Sequence, residues 1–313
     1  MFAIRGSGFG LYGYLPALVH GCAQRIILPE RYRARLESRS ELSPFASAVE
    51  WESDDRTLLD RANGVAIAIR PANQRDLIPE YLARTNIEFL LLEKPLAPSP
   101  QIAAALLENL IDSRKTFRVG YILRNTSWGK QLLATLARKE AGGRLTIRWS
   151  FLAHHFLEDL RNWKRYSDTG GGAVRFYGIH LIALLAEAGY RDVPLSETFG
   201  DSPNECEKWI AAFAGPGLPE CEVLVDTRSA GRAFQVEWVA GSTQTTTMTF
   251  AALGDPFDSD VDPRTGDRRV PALSEACRSL WQSTGNEYAV YEAANALWRS
   301  VEDRTRFVAD ARA

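Results

Sequence analysis

The turn between residues 5 and 11 is the first place where residue types and spacing suit chemistry. Gly6, Gly8 and Gly10, with Ser7 and Phe9 between them and Leu11 behind, separate a short apolar run, MFAIR, from a segment of helical pattern, LYGYLPALVHGC. A dinucleotide pyrophosphate asks for a tight turn after a strand, bare backbone it can approach, and a helix N-terminus whose amides favour the anion. Two registers compete. Gly8-x-Gly10-x-x-Gly13 matches the fingerprint literally; the register starting at Gly6 fits the strand end better but puts Leu11 at the third glycine. A tight glycine turn with no ligand is the plain alternative, because a lone motif is weak. The acidic partner expected after the second strand is Glu30, which suits the ribose hydroxyls of NAD. Arg31, Arg33 and Arg35 follow at once and suit the 2′-phosphate of NADP, so the choice between the two stays open. Arg33 and Arg35 also fit a solvated basic helix.

The second place is LLLEKP. Lys94 falls at the carboxyl end of a strand that reads as central, the edge outside which open α/β sheets bind ligands. Pro95 stops a central ladder, so the chain turns there. Burial and a neighbouring positive charge lower a lysine's pKa, and it can then serve as acid or base. Glu93 points to the other face, where it can hold backbone or a helix. A lone lysine is ordinarily a surface charge; the apolar strand before it and the proline after it favour function.

The third place is TGGGAVRFYGIHLIALL. Three glycines precede a helix bearing His180, with Arg175, Phe176 and Tyr177 about one turn earlier. The glycines let backbone come close to a ligand or another strand. A lone histidine on an apolar helix is more often a satisfied core residue. The segment 154–172 before it has pocket-lining types. Trp163 can stack on a sugar ring, and Arg161, Lys164 and Arg165 can hold a carboxylate or diphosphate. His154 and His155 alternate across a strand in this reading, so only one of them, taken as His155, faces a pocket. Tyr121 and Arg124, in GYILRN, are further lining candidates.

The elements that position these groups alternate at first. MFAIR, RIIL, GVAIAIR, IEFLLLEKP and FRVGYIL read as strands, the later ones as continuous apolar runs buried on both faces. Helical patterns lie between them, over RYRARLES, DDRTLLDRA, QRDLIPEYLAR and SPQIAAALLENLIDSR, the last capped by Ser99. This predicts a doubly wound parallel sheet over residues 1–119. Residues 120–313 then read as an α+β domain with an open, mostly antiparallel sheet. A long strand over 144–155 leads to the His180 helix, four β-like runs between Glu205 and Ala252 form a meander, and a final helix spans 287–307 and can pack on either domain.

Glycines at the first turn, then EKP, then GGG followed by G-x-H, in this order and spacing, resemble the Gfo/Idh/MocA family, the glucose-fructose oxidoreductase and inositol dehydrogenase type. The resemblance covers nearly the whole chain, with LPAL, GVAIAIRPANQ and LLLEKPLAPS each similar to family counterparts. It implies a Rossmann domain followed by the open-sheet domain, an NAD or NADP cofactor, and a dehydrogenase or reductase acting on CH–OH groups of sugars, cyclitols or nucleotide sugars. It makes Lys94 and His180 the catalytic pair, with His180 as proton carrier and Lys94 polarising the oxygen, or the reverse. Pro71 and Asn73 then pass the nicotinamide ribose. Gly6 to Leu11, Glu30, Arg31, Glu93 and Lys94 complete the cofactor set, while Tyr121, Arg124, His155, Trp163, Lys164, Arg165, Arg175 and Tyr177 line the substrate side. Phe176 and Ala183 stand where the family commonly has aspartates. That departure suggests a non-catalytic dinucleotide- or sugar-binding homologue as one alternative; lyase or glycosidase chemistry with transient redox is another.

Composition excludes other classes. The 313 residues are 45% hydrophobic and 24% charged, in the globular range, and 37 basic against 39 acidic side chains give a net charge of -2, which argues against nucleic acid as partner. No apolar run is long enough for a membrane span, and MFAIRGSG lacks the features of an export signal. Four scattered cysteines and four histidines have no metal spacing and suit a cytoplasmic protein. Asp258, Asp260 and Asp262 have calcium-loop spacing, but Pro263 and Arg269 stand where such a loop needs glycine and glutamate, so this segment reads as a solvated loop or a flap. No metal is expected. Homo-oligomers are expected from the resemblance.

Overall fold

The computed structural model describes residues 1–22, 24–138, 142–240, 246–257, 266–282 and 287–309. Contacts divide the chain into two compact units. The first is Met1–Leu96 with Ala105–Asn125 and Phe257–Gly285; the second is Ala97–Ala104 with Thr126–Pro256 and Asn286–Ala313.

The first unit opens with β1 (Phe2–Arg5), a π-helical turn over Gly10–Tyr14, α1 (Leu15–Cys22), β2 (Ile26–Pro29), α2 (Arg33–Glu37) and β3 (Val49–Glu52). It continues with α3 (Asp55–Arg61), β4 (Gly64–Ile67), α4 (Pro71–Leu82), β5 (Phe89–Leu92), α5 (Pro100–Asp112), whose residues through Ala104 count with the second unit, and β6 (Thr116–Val119). All six strands pair in parallel, in the order β3-β2-β1-β4-β5-β6. The all-buried runs IILP and GVAI are what a sheet covered on both faces requires. Local signals set the helix starts. Asp54 caps α3 by accepting from the Thr57 amide at 3.0 Å, worth about 1 kcal/mol. Pro71 opens α4, and that helix runs on through Pro79. Strand β3 was not foreseen, because VEWE mixes apolar and acidic residues at the sheet edge.

The second unit contains α6 (Ser127–Leu136), β7 (Arg144–Leu152), α7 (His154–Leu157), a π-helical turn over Ala173–Gly178, α8 (Ile179–Ala188), β8 (Asp192–Ser202), β9 (Glu205–Ala214), β10 (Glu220–Asp226), β11 (Arg228–Ala240) and β12 (Thr246–Leu253). After α9 (Val270–Arg278), which belongs to the first unit, come α10 (Glu287–Arg304) and β13 (Thr305–Ala309). The sheet runs β12-β11-β7-β10-β9-β8-β13 and is mostly antiparallel, with β10–β7 and β13–β8 parallel.

Three expectations are corrected. The simple meander is broken by β7, which lies between β10 and β11. Thr227 turns the chain there, its amide and hydroxyl both donating to Glu207 O at 2.9 and 2.7 Å. The strand read through His155 ends at Leu152. Its partner β11 pairs with Leu152 at Arg228 and is irregular between Arg228 and Ala233, so the chain beyond closes helical bonds such as Leu157 N to Ala153 O at 3.0 Å. The last helix stops at Arg304, and the β-forming Thr305, Phe307 and Val308 extend the sheet beside β8.

Residues 266–282, placed in the second domain by the sequence reading, pack within the first unit. Helix α9 lies on α1, with Ser274 against Gly21. Trp281 meets Phe2 edge-on at 5.8 Å, and Arg118 donates to Ser279 Oγ at 2.8 Å. In the second unit α10 packs on α8 and β8.

Candidate active site

In the first sheet the chain order reverses between β1 and β4. This is the switch point where open α/β sheets bind ligands, beyond the carboxyl ends of the strands. Gly6 follows β1 at that edge. Its φ is +121°, and a Cβ there would lie 2.1 Å from Ala68 O, so only glycine fits. Gly10 faces the sheet, where a Cβ would come within 2.8 Å of Ile4 Cγ2. A Cβ on Gly8, by contrast, would meet nothing within 4 Å, so here the bare backbone faces open space. These are the three roles of a dinucleotide turn: the tight turn, the open approach and the close helix–sheet contact. The π-helical start of the helix brings the third role one residue forward to Gly10 and leaves Leu11 wholly buried. Gly13, the third glycine of the literal fingerprint, instead makes room for the Phe9 ring. The residues present therefore fit a pyrophosphate at Gly8.

Around the turn, the Gly6 amide donates to the Tyr32 hydroxyl at 3.1 Å, and Arg35 Nη1 donates to Ser7 Oγ at 3.4 Å. Phe9 lies between two groups, edge to face with Tyr14 and 4.1 Å beneath the Arg269 guanidinium. Arg31 is committed to Asp55, with bonds of 2.8 and 3.1 Å that raise its pKa, and Arg5 shares the same carboxylate. Glu30 pairs with Arg33 at 3.1 Å, and Arg33 lies over Trp51.

Glu93 and Lys94 follow β5, two strands from β1, or about 10 Å across the sheet at about 4.8 Å per strand. Gln74 Nε2 donates to Glu93 O and to Pro95 O, both at 3.0 Å, and fixes the backbone on either side of Lys94. The Lys94–Pro95 peptide is cis. The Glu93 carboxyl is driven above its ordinary pKa by burial, against the opposing pull of Lys94, Arg269 and the Tyr14 hydroxyl. Pro71 is buried at the start of α4 and Asn73 is exposed beside it. Tyr121 precedes, and Arg124 lies within, the short turn Ile122–Asn125 after β6; burial pushes the Tyr121 phenol far up, so it stays protonated.

In the second unit His180 is the second residue of α8 and is buried. In the π-helical turn before it, the Ile179 amide bonds to Val174 O. Gly171 admits the chain's own loop, since a Cβ there would lie 2.3 Å from Trp163 O. Phe176 meets Trp163 and Tyr177 edge to face at 5.3 and 4.8 Å, with Lys164 Nζ 5.4 Å from its ring. Tyr177 continues the cluster to Phe151, Trp149 and the stacked His155 ring. Burial first, then Lys164, Arg165 and His154, lowers the His155 pKa to about 4, so the ring is neutral at ordinary pH. It is not the strand residue expected but part of the short helix α7.

Two arginines expected to line the substrate side are held by the fold. Arg165 is buried between Glu205 and Asp159. Arg175 grips Glu302 with two bonds of 2.7 and 2.8 Å and donates to Pro98 O and Ser167 O. Sequence reasoning missed Tyr14, Tyr32, Gln74 and Arg269. Gln74 stands one residue from the expected Asn73; the others reach their places through long-range packing that no local signal shows.

The fold is that of the Gfo/Idh/MocA-type oxidoreductases, as the sequence resemblance implied. KijD10, described as a 3-ketoreductase from Actinomadura kijaniata in complex with NADP and TDP-benzene, superposes with a TM-score of 0.71 at 11% identity, covering 99% of this chain and 98% of its own. The WlbA dehydrogenase of Bordetella pertussis, in complex with NADH and UDP-GlcNAcA, gives 0.68 at 13% identity, covering 96% and 95%. GenD2 from gentamicin A biosynthesis, in complex with NAD, gives 0.67 at 19% identity, covering 96% and 94%. Identities this low establish fold alone. No protein-family model matches the chain, and no curated protein matches it in sequence. Among the described residues no helix is long and apolar enough to cross a membrane.

Proposed function

We propose that this chain is an NAD(P)-dependent oxidoreductase of sugar-like substrates, with nucleotide sugars as the substrate class. One observation carries the reading: at the switch point of a doubly wound sheet, the glycine turn leaves Gly8 open to an anion, and Lys94 stands on the same strand edge. In the proposal the first unit holds the dinucleotide and the second the substrate. The nucleotide-sugar class rests on what KijD10 and WlbA are described as binding, and on the aromatic cluster with Lys164 in the second unit.

The cofactor, when bound, accepts or returns a hydride. The chain's own residues do the rest. Gly6, Gly8 and the following turn hold the pyrophosphate. Gln74 holds the Glu93 and Pro95 carbonyls and so fixes the backbone on either side of Lys94 at the strand edge. Lys94 polarises the substrate oxygen, and His180 takes its proton or gives it back. Glu93, half-buried and accepting from the Tyr14 hydroxyl, ties the end of β5 before Lys94 to the turn before α1. Phe176 and Ala183 stand where a carboxylate could have assisted His180, so this proposal assigns proton transfer to Lys94 and His180. The same substitutions favour, as a second reading, a homologue that binds without turnover.

The test uses the purified full chain, both reduced and oxidised nicotinamide dinucleotides, and a panel of UDP- and TDP-linked sugars. The expected result is a change in reduced-nicotinamide absorbance with members of the panel. Lys94→Ala is expected to lower turnover by about 100- to 10,000-fold while the dinucleotide still binds. Unchanged turnover in Lys94→Ala contradicts the site assignment, and binding without turnover across the panel favours the second reading. Transient reduction with no net product nucleotide points to lyase or glycosidase chemistry. The four free cysteines support a cytoplasmic location in this proposal, and self-association, checked by light scattering, belongs to the same reading.

A further inference from the structure

Four arginines lie within ten residues after β2, and the structure separates their roles. Arg31 is bound on both nitrogens to Asp55 at the start of α3. Arg33 pairs with Glu30 and lies 4.9 Å from the Trp51 ring of β3. Both point along the β3 side of the sheet. Arg39 contacts Glu41 at 3.7 Å and stands 5.5 Å from the Tyr12 ring. Arg35 differs from all three. Among the described residues it forms no ion pair. It donates to Ser7 Oγ in the glycine turn and sits 5.8 Å from the Tyr12 ring. Its charge is therefore directed at the turn between β1 and α1.

The acceptor that NAD needs is poorly provided. A carboxylate at the end of β2 normally receives the ribose hydroxyls. Here β2 ends in Pro29, which has no acceptor side chain, and the following Glu30 is engaged by Arg33 toward Trp51. An uncompensated guanidinium next to a turn hydroxyl is instead the chemistry for a phosphate monoester: a charge-assisted hydrogen bond from Arg35 and one from the Ser7 hydroxyl.

We propose that Arg35 and Ser7 hold the 2′-phosphate of the adenosine ribose, so that this chain takes NADP in preference to NAD. The inference rests on the dinucleotide reading above and goes on to fix which dinucleotide. Arg39 adds a second positive charge beside the Tyr12 ring. Arg31 and Arg33 hold α2 and β3 in place and do not select the cofactor.

The test is a fluorescence titration of the full chain with NADPH and with NADH, repeated on Arg35→Gln and Arg35→Lys. Arg35 is exposed, so neither substitution disturbs the core. NADPH is expected to bind about 10- to 100-fold more tightly than NADH to the wild type, as a charge-assisted pair would give. Arg35→Gln is expected to remove most of that gap by weakening NADPH and leaving NADH affinity nearly as it was, and Arg35→Lys to restore part of it. Equal or tighter binding of NADH by the wild type overturns the inference and leaves the oxidoreductase reading standing. So does an Arg35→Gln protein that weakens both dinucleotides alike. If neither dinucleotide binds, the proposed function itself fails and this inference falls with it.

Discussion

The Tyr14 hydroxyl donates to Glu93 Oε1 at 3.1 Å and so ties the turn before α1 to the end of β5. The bond spans the two features the sequence marked separately, the glycine turn and the E-K-P corner. A Cβ on Gly120 would lie 3.0 Å from Glu93 Oε1 and 3.3 Å from the Tyr14 hydroxyl, so Gly120 packs tightly against the pair.

Tyr14→Phe leaves the Glu93 carboxyl without its phenol donor and is expected to cost about 1–3 kcal/mol in chemical unfolding. The pH dependence has a definite sign. Burial raises the Glu93 pKa in the folded state above its ordinary 4.5, so the folded protein holds this proton more tightly than the unfolded chain does. The stabilisation is present below about 4.5 and is lost as pH rises through the folded value. Glu93→Gln removes that loss. Its melting temperature relative to wild type is expected to climb as pH rises above 4.5; a constant difference would show that Glu93 does not titrate this way.

His155 acts in the opposite direction. Its pKa falls from 6.5 to about 4, so the unfolded chain binds a proton that the folded one refuses. Stability is present above 6.5 and is lost as pH falls toward 4, by roughly 3 kcal/mol for a shift of this size. His155→Phe is expected to flatten this acid limb of the melting profile. An acid limb that persists unchanged would assign it to other groups.

Arg175 and Glu302 join the turn before α8 to α10, and Trp298 also donates to the same carboxylate. Each partner keeps about a fifth of its exposure, 19% and 21%, so the pair is worth less than a fully buried one. Arg175→Ala is expected to cost roughly 2 kcal/mol of stability. KM for the sugar substrate should stay near the wild-type value, because this arginine serves the fold. A large KM change with unchanged stability would return Arg175 to the substrate side.

Much of the first unit was legible because its sheet is buried on both faces. Continuous runs such as IILP and GVAI, with glycine and proline punctuation, leave little choice of structure. Gly6 and Lys94 each follow the end of a strand, a break the local pattern marks, whereas His180 lies inside a helical stretch as the second residue of α8. The edge strands were not legible. VEWE of β3 and the strand over 305–309 carry charged residues because only part of their surface is covered, and their periodicity is weak. Nor does spacing show that β7 inserts between β10 and β11, or that Arg165 and Arg175 find acids far along the chain. The candidate calcium loop lies mostly outside the described residues.

The central claim is that the turn after β1 holds a nicotinamide dinucleotide, and Gly6 and Gly8 test it in different ways. Gly6→Ala places a methyl 2.1 Å from Ala68 O at a left-handed φ and is expected to cost roughly 3 kcal/mol or more. Gly8→Ala adds a methyl to open space, so the protein should melt with the wild type. The decisive measurement is the titration of NADPH and NADH into wild type and Gly8→Ala. The account expects saturable binding to the wild type and a loss of about tenfold or more, equivalent to about 1.4 kcal/mol, in the folded variant. Equal affinity for both proteins, or no binding to either, would contradict it.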